Sequence, residues 1–174
     1  HEFVNIDIMN GGSRTADFLA KNPNGKIPLL EISPGQYLPE SNAILWYLAE
    51  GSAFLPEDKF QRAQVLQWLF FEQYSHEPYI ATARFIKVYL GNPPERQAAL
   101  QQKISHGYQA LDVMEKHLAA NKFFVGGRYS IADIGLYAYT HRSHDGGFDL
   151  AAYHYINAWL PRVKGQAEYL AMSA

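Results

Sequence analysis

The pattern of the chain changes near residue 50, and this change constrains the fold more than any other feature. Before it, short β-type runs alternate with turns rich in glycine and proline, whereas after it apolar residues recur at helical spacing. Residues 51–59, GSAFLPEDK, have the composition of a linker. We therefore predict a mixed α/β domain over residues 1–50 and an all-helical domain over residues 60–174.

The first domain begins with a predicted strand and a short helix. Val4, Ile6 and Ile8 alternate with polar residues, which predicts a half-buried strand over residues 2–9. Ser13 or Thr15 can then cap a helix that stops before Pro23.

A predicted β-hairpin follows. Residues 27–32 are expected to form its first strand, residues 33–36 the turn, and residues 37–39 its short second strand. A helix begins directly after it, at Ser41.

The second domain contains four predicted helical segments. Residues 60–90 form the first, with a kink at Pro78, and residues 65–71 are apolar almost all round, which predicts a central or interface helix. A seven-residue apolar repeat over residues 100–118 predicts close packing against a neighbouring helix. Two further helices are expected over residues 130–141 and 150–163, the last interrupted near Pro161.

Composition excludes several functions. The chain of 174 residues has a net charge of -2, which provides no basic field for nucleic acid. Cysteine is absent, which excludes disulfides and a cysteine nucleophile within these residues. No apolar run reaches membrane-spanning length, and the first residues do not resemble a signal peptide. We expect a cytoplasmic protein that uses no metal or other cofactor.

NGKIPLLE, residues 24–31, places a proline at the start of a predicted strand. A cis bond between Ile27 and Pro28 would leave the Ile27 main chain free to pair with an extended ligand. An ordinary trans proline in a turn is the alternative, and most X-Pro bonds are trans.

ESNAILWYL, residues 40–48, places Glu40 and Ser41 at the mouth of a helix. Free amides and the helix dipole attract an anion there, so Ser41 could donate to a carboxylate while Glu40 accepts from an ammonium group. These groups together suit an α-amino acid. The alternative is that both residues only cap their own helix.

Three further groups of residues carry weaker signals. Ser130 and Asp133 in SIAD form the pattern of a capping box, which makes both structural. Tyr74, His76, Tyr79 and Arg84 could line an aromatic pocket, although such a stripe usually belongs to the core. His141 and His144 have a spacing that a metal could use, but a solvated helix end explains them better.

Three motifs in order carry a resemblance to a known family: NPNGKIPLLE, then LPESNAILWYLAE after the hairpin, then YSIADIGLYAY in the helical half. The chain resembles a cytosolic bacterial-type glutathione S-transferase over essentially its whole length. The resemblance implies an α/β plus all-α protein, with a thioredoxin-like N-terminal domain, a helical C-terminal domain and a homodimeric assembly.

The resemblance also implies roles for site residues. Pro28 would be cis, the Ile27 main chain would pair with the cysteinyl unit of glutathione, and Glu40 and Ser41 would hold the γ-glutamyl end. Lys26 would lie near the glycyl carboxylate. The resemblance also places a small apolar electrophile against the second-domain helices, where Tyr74, His76 and Arg84 are the candidate pocket residues.

The sequence departs from the family pattern at its front. A thioredoxin-like sheet has a further strand and helix before residues 2–9, and the residue that activates the glutathione thiol belongs to that unit. We therefore expect about 30 residues, one βα unit, and the catalytic Tyr, Ser or Cys upstream of His1.

The resemblance implies that glutathione is a co-substrate that conjugates or reduces small electrophiles, as in detoxification. One alternative is a non-catalytic protein-binding scaffold with the same fold. A metal-binding helical protein built around His141 and His144 is another.

Overall fold

The computed structural model describes residues 1–167 and 169–171. The chain divides into two compact units, His1–Glu50 and Gly51–Ala174. The segment predicted as a linker falls within the second unit, where Leu55 is buried and the Ile131 N–H donates to the Phe54 carbonyl at 3.0 Å.

The first unit is built around one β-hairpin. Strands β1 (Leu29–Ser33) and β2 (Gln36–Pro39) pair antiparallel, with Leu30 opposite Leu38. Helix α1 (Ala16–Lys21) precedes the hairpin, and the Thr15 hydroxyl caps it by accepting from the Phe18 N–H. Helix α2 (Ser41–Ala49) follows directly after β2.

The strand predicted over residues 2–9 is wrong. Residues 1–7 have no regular structure and residues 8–11 form a turn; β1 and β2 are the strands found in the described part of the chain. Phe3, Val4, Ile8 and Met9 are exposed. Alternating apolar residues favour an extended backbone, but a strand also needs a neighbour to accept its hydrogen bonds, and no described residue supplies one.

The second unit is helical. Its α-helices are α3 (Lys59–Phe71), α4 (Glu77–Arg84), α5 (Gln97–Leu118), α6 (Ile131–Thr140) and α7 (His154–Lys164). One π-helical turn, Glu72–His76, joins α3 to α4, and a second, Phe85–Tyr89, extends α4. The last helix begins four residues later than predicted, and Pro161 lies inside it without ending it.

The predicted kink at Pro78 takes the form of the first π-helical turn. Pro78 lies in the first turn of α4, where a missing N–H does least harm. The irregular backbone precedes the proline, because a proline ring clashes with the turn before it.

The core of the second unit forms where α5 meets α4 and α7. Leu111, Met114 and Trp159 have no measurable exposure. Gly107, in the seven-residue repeat, is buried against Phe148, so the repeat marks close packing. By contrast, Leu66 and Phe70 are 37% and 68% exposed, so α3 is not buried all round.

None of the helices in the described part of the chain combines the length and the apolar composition that a membrane span requires.

Candidate functional site

The turn before the hairpin is held by a buried asparagine. Asn22 is 2% exposed, and its Nδ2 donates to the Lys26 carbonyl at 2.8 Å while its Oδ1 accepts from the Asn24 N–H at 3.1 Å. Arg14 Nη1 adds a bond to the Asn24 carbonyl at 3.1 Å. The path of residues 22–26 is therefore fixed from its inner side, which leaves the Lys26 side chain exposed.

The main chain of Ile27 is free at the edge of the hairpin. The Ile27–Pro28 peptide bond is cis, and the Ile27 residue is 47% exposed. Within residues 1–167 and 169–171, no hydrogen bond engages the Ile27 N–H or carbonyl. An unpaired donor and acceptor at an exposed position can pair with an extended peptide, as an added strand would.

Glu40 adopts a backbone conformation that is rare for a residue with a side chain. Its φ is 71°, in the region that favours glycine, and it immediately precedes α2. Such strained residues, costing on the order of 1–3 kcal/mol, concentrate at ligand sites. The Glu40 carbonyl accepts from the Ile44 N–H at 2.9 Å, so its main chain joins the first turn of the helix.

One side-chain contact joins the turn to the mouth of α2. Asn24 Nδ2 donates to Glu40 Oε1 at 3.4 Å, while Glu40 itself remains exposed. Ser41 is half-buried at the start of the nine-residue helix. The first unit thus brings together the residues predicted from two separate motifs.

This arrangement offers three kinds of contact to a small peptide. The Ile27 main chain offers a donor and an acceptor, the Glu40 carboxylate offers an acceptor for an ammonium group, and the start of α2 offers amides and a hydroxyl for a carboxylate. A peptide that carries an amino-acid head on an extended backbone uses all three.

His76 does not line an open pocket, which corrects the prediction for this residue. Its side chain is fully buried, and Nε2 lies 2.8 Å from Thr140 Oγ1. That hydroxyl donates its one hydrogen to the Leu136 carbonyl at 2.6 Å, so the imidazole must be the donor in the first contact. Burial lowers the pKa of His76 to about 3, so the ring stays neutral.

The other predicted pocket residues have separate surroundings. Tyr74 is 84% exposed, whereas Arg84 donates to Asp145 and to the Tyr89 hydroxyl. Tyr79 stacks on His106, with ring centroids 5.0 Å apart. The structure does not bring these side chains together into one pocket.

Ser130 and Asp133 form a capping box at the start of α6. The Ser130 N–H and hydroxyl donate to Asp133 Oδ2 at 3.1 and 3.2 Å, and Oδ1 accepts from the Phe124 N–H and Trp159 Nε1. Burial raises the pKa of Asp133 to about 6, although these four donors oppose the shift. Asp133 therefore connects α6 to α7 and to the preceding loop.

His141 and His144 have separate partners. His141 Nδ1 lies 2.8 Å from the Tyr137 carbonyl oxygen, and His144 Nε2 lies 3.1 Å from Asp145 Oδ1. Over the described residues, no cluster of three or more His, Cys, Asp or Glu side chains has the arrangement of a metal site.

Sequence reasoning missed the residues that hold the predicted ones in place. Asn22 and Asn24 take part in hydrogen bonds with the main chain of a turn. The NPNG motif was the sequence signal that could have identified them, because asparagines in turns favour hydrogen bonds to the nearby main chain. Thr140 and Trp159 meet His76 and Asp133 from distant positions, and no local pattern points to such contacts.

Two family models match the chain. The model of the glutathione S-transferase N-terminal domain matches residues 1–50, and that of the C-terminal domain matches residues 97–165.

Three known proteins illustrate the similarity. A glutathione S-transferase structure from Pseudomonas fluorescens is 57% identical, with a TM-score of 0.94 over 95% of this chain and 83% of its own. A glutathione transferase structure from Pseudomonas putida, with one glutathione disulfide bound per subunit, is 28% identical, with a TM-score of 0.78 over 93% of this chain and 75% of its own.

The disulfide-bond oxidoreductase YghU from Escherichia coli is 31% identical over 91% of this chain. The chain spans 58% of the length of that relative.

Proposed function

The chain belongs to the glutathione S-transferase family, and from that premise we propose that its first unit binds glutathione for transfer to, or reduction of, small electrophiles. The observation that carries the proposal is the free Ile27 main chain beside the mouth of α2. A tripeptide with a γ-glutamyl head matches the contacts that these residues offer.

Each part of glutathione has a proposed partner in the first unit. The cysteinyl unit pairs with the Ile27 N–H and carbonyl, next to Pro28. The γ-glutamyl carboxylate accepts from Ser41 and the first amides of α2, and its ammonium group donates to Glu40. The exposed Lys26 ammonium is near enough in the chain to attract the glycyl carboxylate.

The chemistry then depends on the glutathione thiolate. A thiol with a pKa of about 8.5 is only a few per cent ionised at neutral pH, and the thiolate is the nucleophile. Lowering that pKa by about two units requires roughly 2.7 kcal/mol of preferential stabilisation of the anion. In conjugation the thiolate sulfur bonds to an electrophilic carbon, which releases its leaving group with the bonding electrons. In disulfide reduction the thiolate attacks one sulfur of the disulfide, forms a mixed disulfide with it and releases the other sulfur as a thiolate. A second glutathione thiolate then attacks the glutathione sulfur of the mixed disulfide, which releases the remaining substrate thiolate and leaves glutathione disulfide.

Two observations from the relatives support these reactions. The Pseudomonas putida structure holds glutathione disulfide, and the Escherichia coli relative is a disulfide-bond oxidoreductase. We place the reaction in the cytoplasm, where glutathione keeps thiols reduced, and detoxification of apolar electrophiles is the role it would serve. Tyr74, the exposed member of the predicted pocket, is our choice for a residue in contact with the electrophile.

Substitution of Ser41 tests the glutathione site. Ser41→Ala removes one hydrogen bond to a charged group, so glutathione affinity should fall by about 1.5–3 kcal/mol, measured by calorimetric titration. Ser33→Ala is the matched control, because the Ser33 hydroxyl lies in the same hairpin and bonds to Gln36. Equal affinities for the two variants, with both folded, would remove Ser41 from the site.

The exposed face of α3 supports a homodimer. Leu66 and Phe70 lie four residues apart on one side of the helix and are both exposed, and we propose that a second copy of the chain covers them. Phe70→Glu should shift the protein to monomers in analytical ultracentrifugation, whereas Val113→Glu, at an exposed position on α5, should not. A monomeric parent protein, or a Phe70→Glu variant that remains dimeric, would contradict this assignment.

The same exposed face also favours a second candidate function, a non-catalytic scaffold that binds another protein. Retention on immobilised glutathione combined with turnover of a chlorodinitrobenzene-type electrophile separates the two functions. Measured on the full-length protein, retention with turnover supports the enzyme, whereas retention without turnover supports the scaffold.

A further inference from the structure

A cluster of basic side chains surrounds one carboxylate in the second unit. It forms where the end of α4 packs on the short 3-10 helix Ser143–Gly146. We call it the Asp145 cluster; its members are Arg84, Lys87, Arg142, His144 and Asp145. It shares no residue with the proposed glutathione site and does not depend on that proposal.

Both oxygens of Asp145 are already used. Arg84 Nε and Arg142 Nε donate to Oδ2 at 3.0 and 2.8 Å, and His144 Nε2 lies 3.1 Å from Oδ1. These guanidinium groups hold the pKa of the carboxyl below its usual value, although burial opposes the shift. Asp145 therefore carries a full negative charge at neutral pH.

The basic groups outnumber this charge. Arg84, Lys87 and Arg142 supply three positive charges against one carboxylate, which leaves a surplus of two even with a neutral His144. Throughout the described ranges, Asp145 is the one carboxylate that pairs with the two arginines, and no hydrogen bond or ion pair engages the Lys87 ammonium.

Several donors in the cluster remain unused. Both terminal nitrogens of Arg142 lack a partner among the described residues, and the Arg142 side chain is 32% exposed. The Lys87 Nζ lies 2.8 Å from the point that a Cβ on Gly147 would occupy, so the ammonium fills the space above this glycine. Gly147 lies two residues from Asp145, which places Lys87 beside the same turn.

A purely structural role of the Asp145 cluster does not explain its two surplus positive charges. One arginine is enough to fasten the turn to α4, and Arg84 already does so from a side chain that is 18% exposed. Every further cation adds repulsion in a partly buried region, which an additional anion would relieve. A planar guanidinium with two free nitrogens is also the group that binds carboxylate and phosphate in a bidentate manner.

We propose that the Asp145 cluster binds the oxyanion group, phosphate or carboxylate, of a small ligand. Arg142 supplies its two terminal nitrogens and Lys87 its ammonium, while Asp145 and Arg84 fix the geometry. Tyr89, whose ring centroid is 5.3 Å from the Arg84 guanidinium carbon and which stacks on Phe85, provides an exposed aromatic surface for the rest of such a ligand.

Amide NMR titrations of the full chain test the proposal. Inorganic phosphate and benzoate are each added at constant ionic strength, and we expect saturable shifts concentrated at residues 84–90 and 142–147. Saturation by phosphate alone assigns a phosphate ligand, and saturation by benzoate alone assigns an aromatic carboxylate. Shifts that are linear, or spread evenly over the surface, for both probes would overturn the proposal.

Three variants identify the groups that bind. Arg142→Gln should weaken binding at least about tenfold and Lys87→Met about threefold or more, because each loses charged donors. Lys116→Met makes the same charge change at an exposed position on α5 and should leave the affinity unchanged. Lys87→Met keeps every Asp145 bond, so it provides a folded variant if Arg142→Gln is unstable. Equal affinities for Lys87→Met and Lys116→Met would refute the site.

Discussion

Gly107 should be a position where alanine destabilises a helix. In most helix interiors, replacing glycine by alanine gains about 1 kcal/mol from helix propensity. A Cβ on Gly107, however, would lie 2.5 Å from both Cε1 and Cζ of Phe148. Ordinary contacts begin at 3.4 Å, so the buried Phe148 ring would have to retreat by about 0.9 Å.

The two effects have opposite signs, and the clash should prevail. Overpacking in a well-filled core costs about 1–3 kcal/mol, and the ring of Phe148 is also held against Tyr108 at a centroid distance of 5.2 Å. We therefore expect Gly107→Ala to lower the free energy of unfolding by up to about 2 kcal/mol net. That loss corresponds to a fall in Tm of roughly 4–8 °C.

Urea unfolding of four proteins measures the effect: the parent, Gly107→Ala, Phe148→Leu and the double variant. Because leucine lacks the two clashing ring atoms, Gly107→Ala should cost much less in the Phe148→Leu background. Ser105→Ala, at an exposed position of the same helix, reports the propensity gain alone. A stabilised Gly107→Ala protein, or an equal cost in both backgrounds, would refute the packing argument.

Three further predictions concern buried polar groups. The free energy of unfolding of the parent protein should fall by on the order of 1 kcal/mol between pH 7.5 and 5.5, because the His76 imidazole takes up a proton near pH 6.5 when unfolded and only near 3 when folded. His76→Gln should abolish this fall, and parallel pH profiles of parent and variant would disprove the prediction. Asp133→Asn should lower the free energy of unfolding by about 2–4 kcal/mol, because the side-chain NH2 group of asparagine would face at least one of the four donors that the carboxylate now accepts from. An unchanged urea midpoint would argue against this prediction. Asn22→Ala should cost about 1–3 kcal/mol and weaken glutathione binding, and a variant with parental stability and affinity would show that the turn holds itself.

The family and the fold class were predictable because they depend on local sequence patterns. Turn residues, the proline before β1 and the capping box each act within a few residues, so the sequence alone locates them. The fold class, a small sheet-containing unit followed by a helical one, is confirmed.

The failures arose where a distant partner decides the outcome. The alternation in residues 2–9 indicates extended backbone but does not show which strand would pair with it. The apolar run of α3 predicted a central or an interface helix, but it could not show that Leu66 and Phe70 would be exposed while Val65 and Leu69 are buried. His76 looked like a pocket residue because Thr140, its hydrogen-bond partner, lies 64 positions away.

The Asp133 carboxylate sets a limit on how far the chain can be shortened from its C-terminal side. Its Trp159 donor comes from the last helix, whereas the other donors come from residues before or at the start of α6. A truncation that ends before Trp159 would remove the indole ring from the core and leave the buried Asp133 carboxylate with three of its four hydrogen-bond donors. Deletion series should therefore show an abrupt loss of folded protein at this residue.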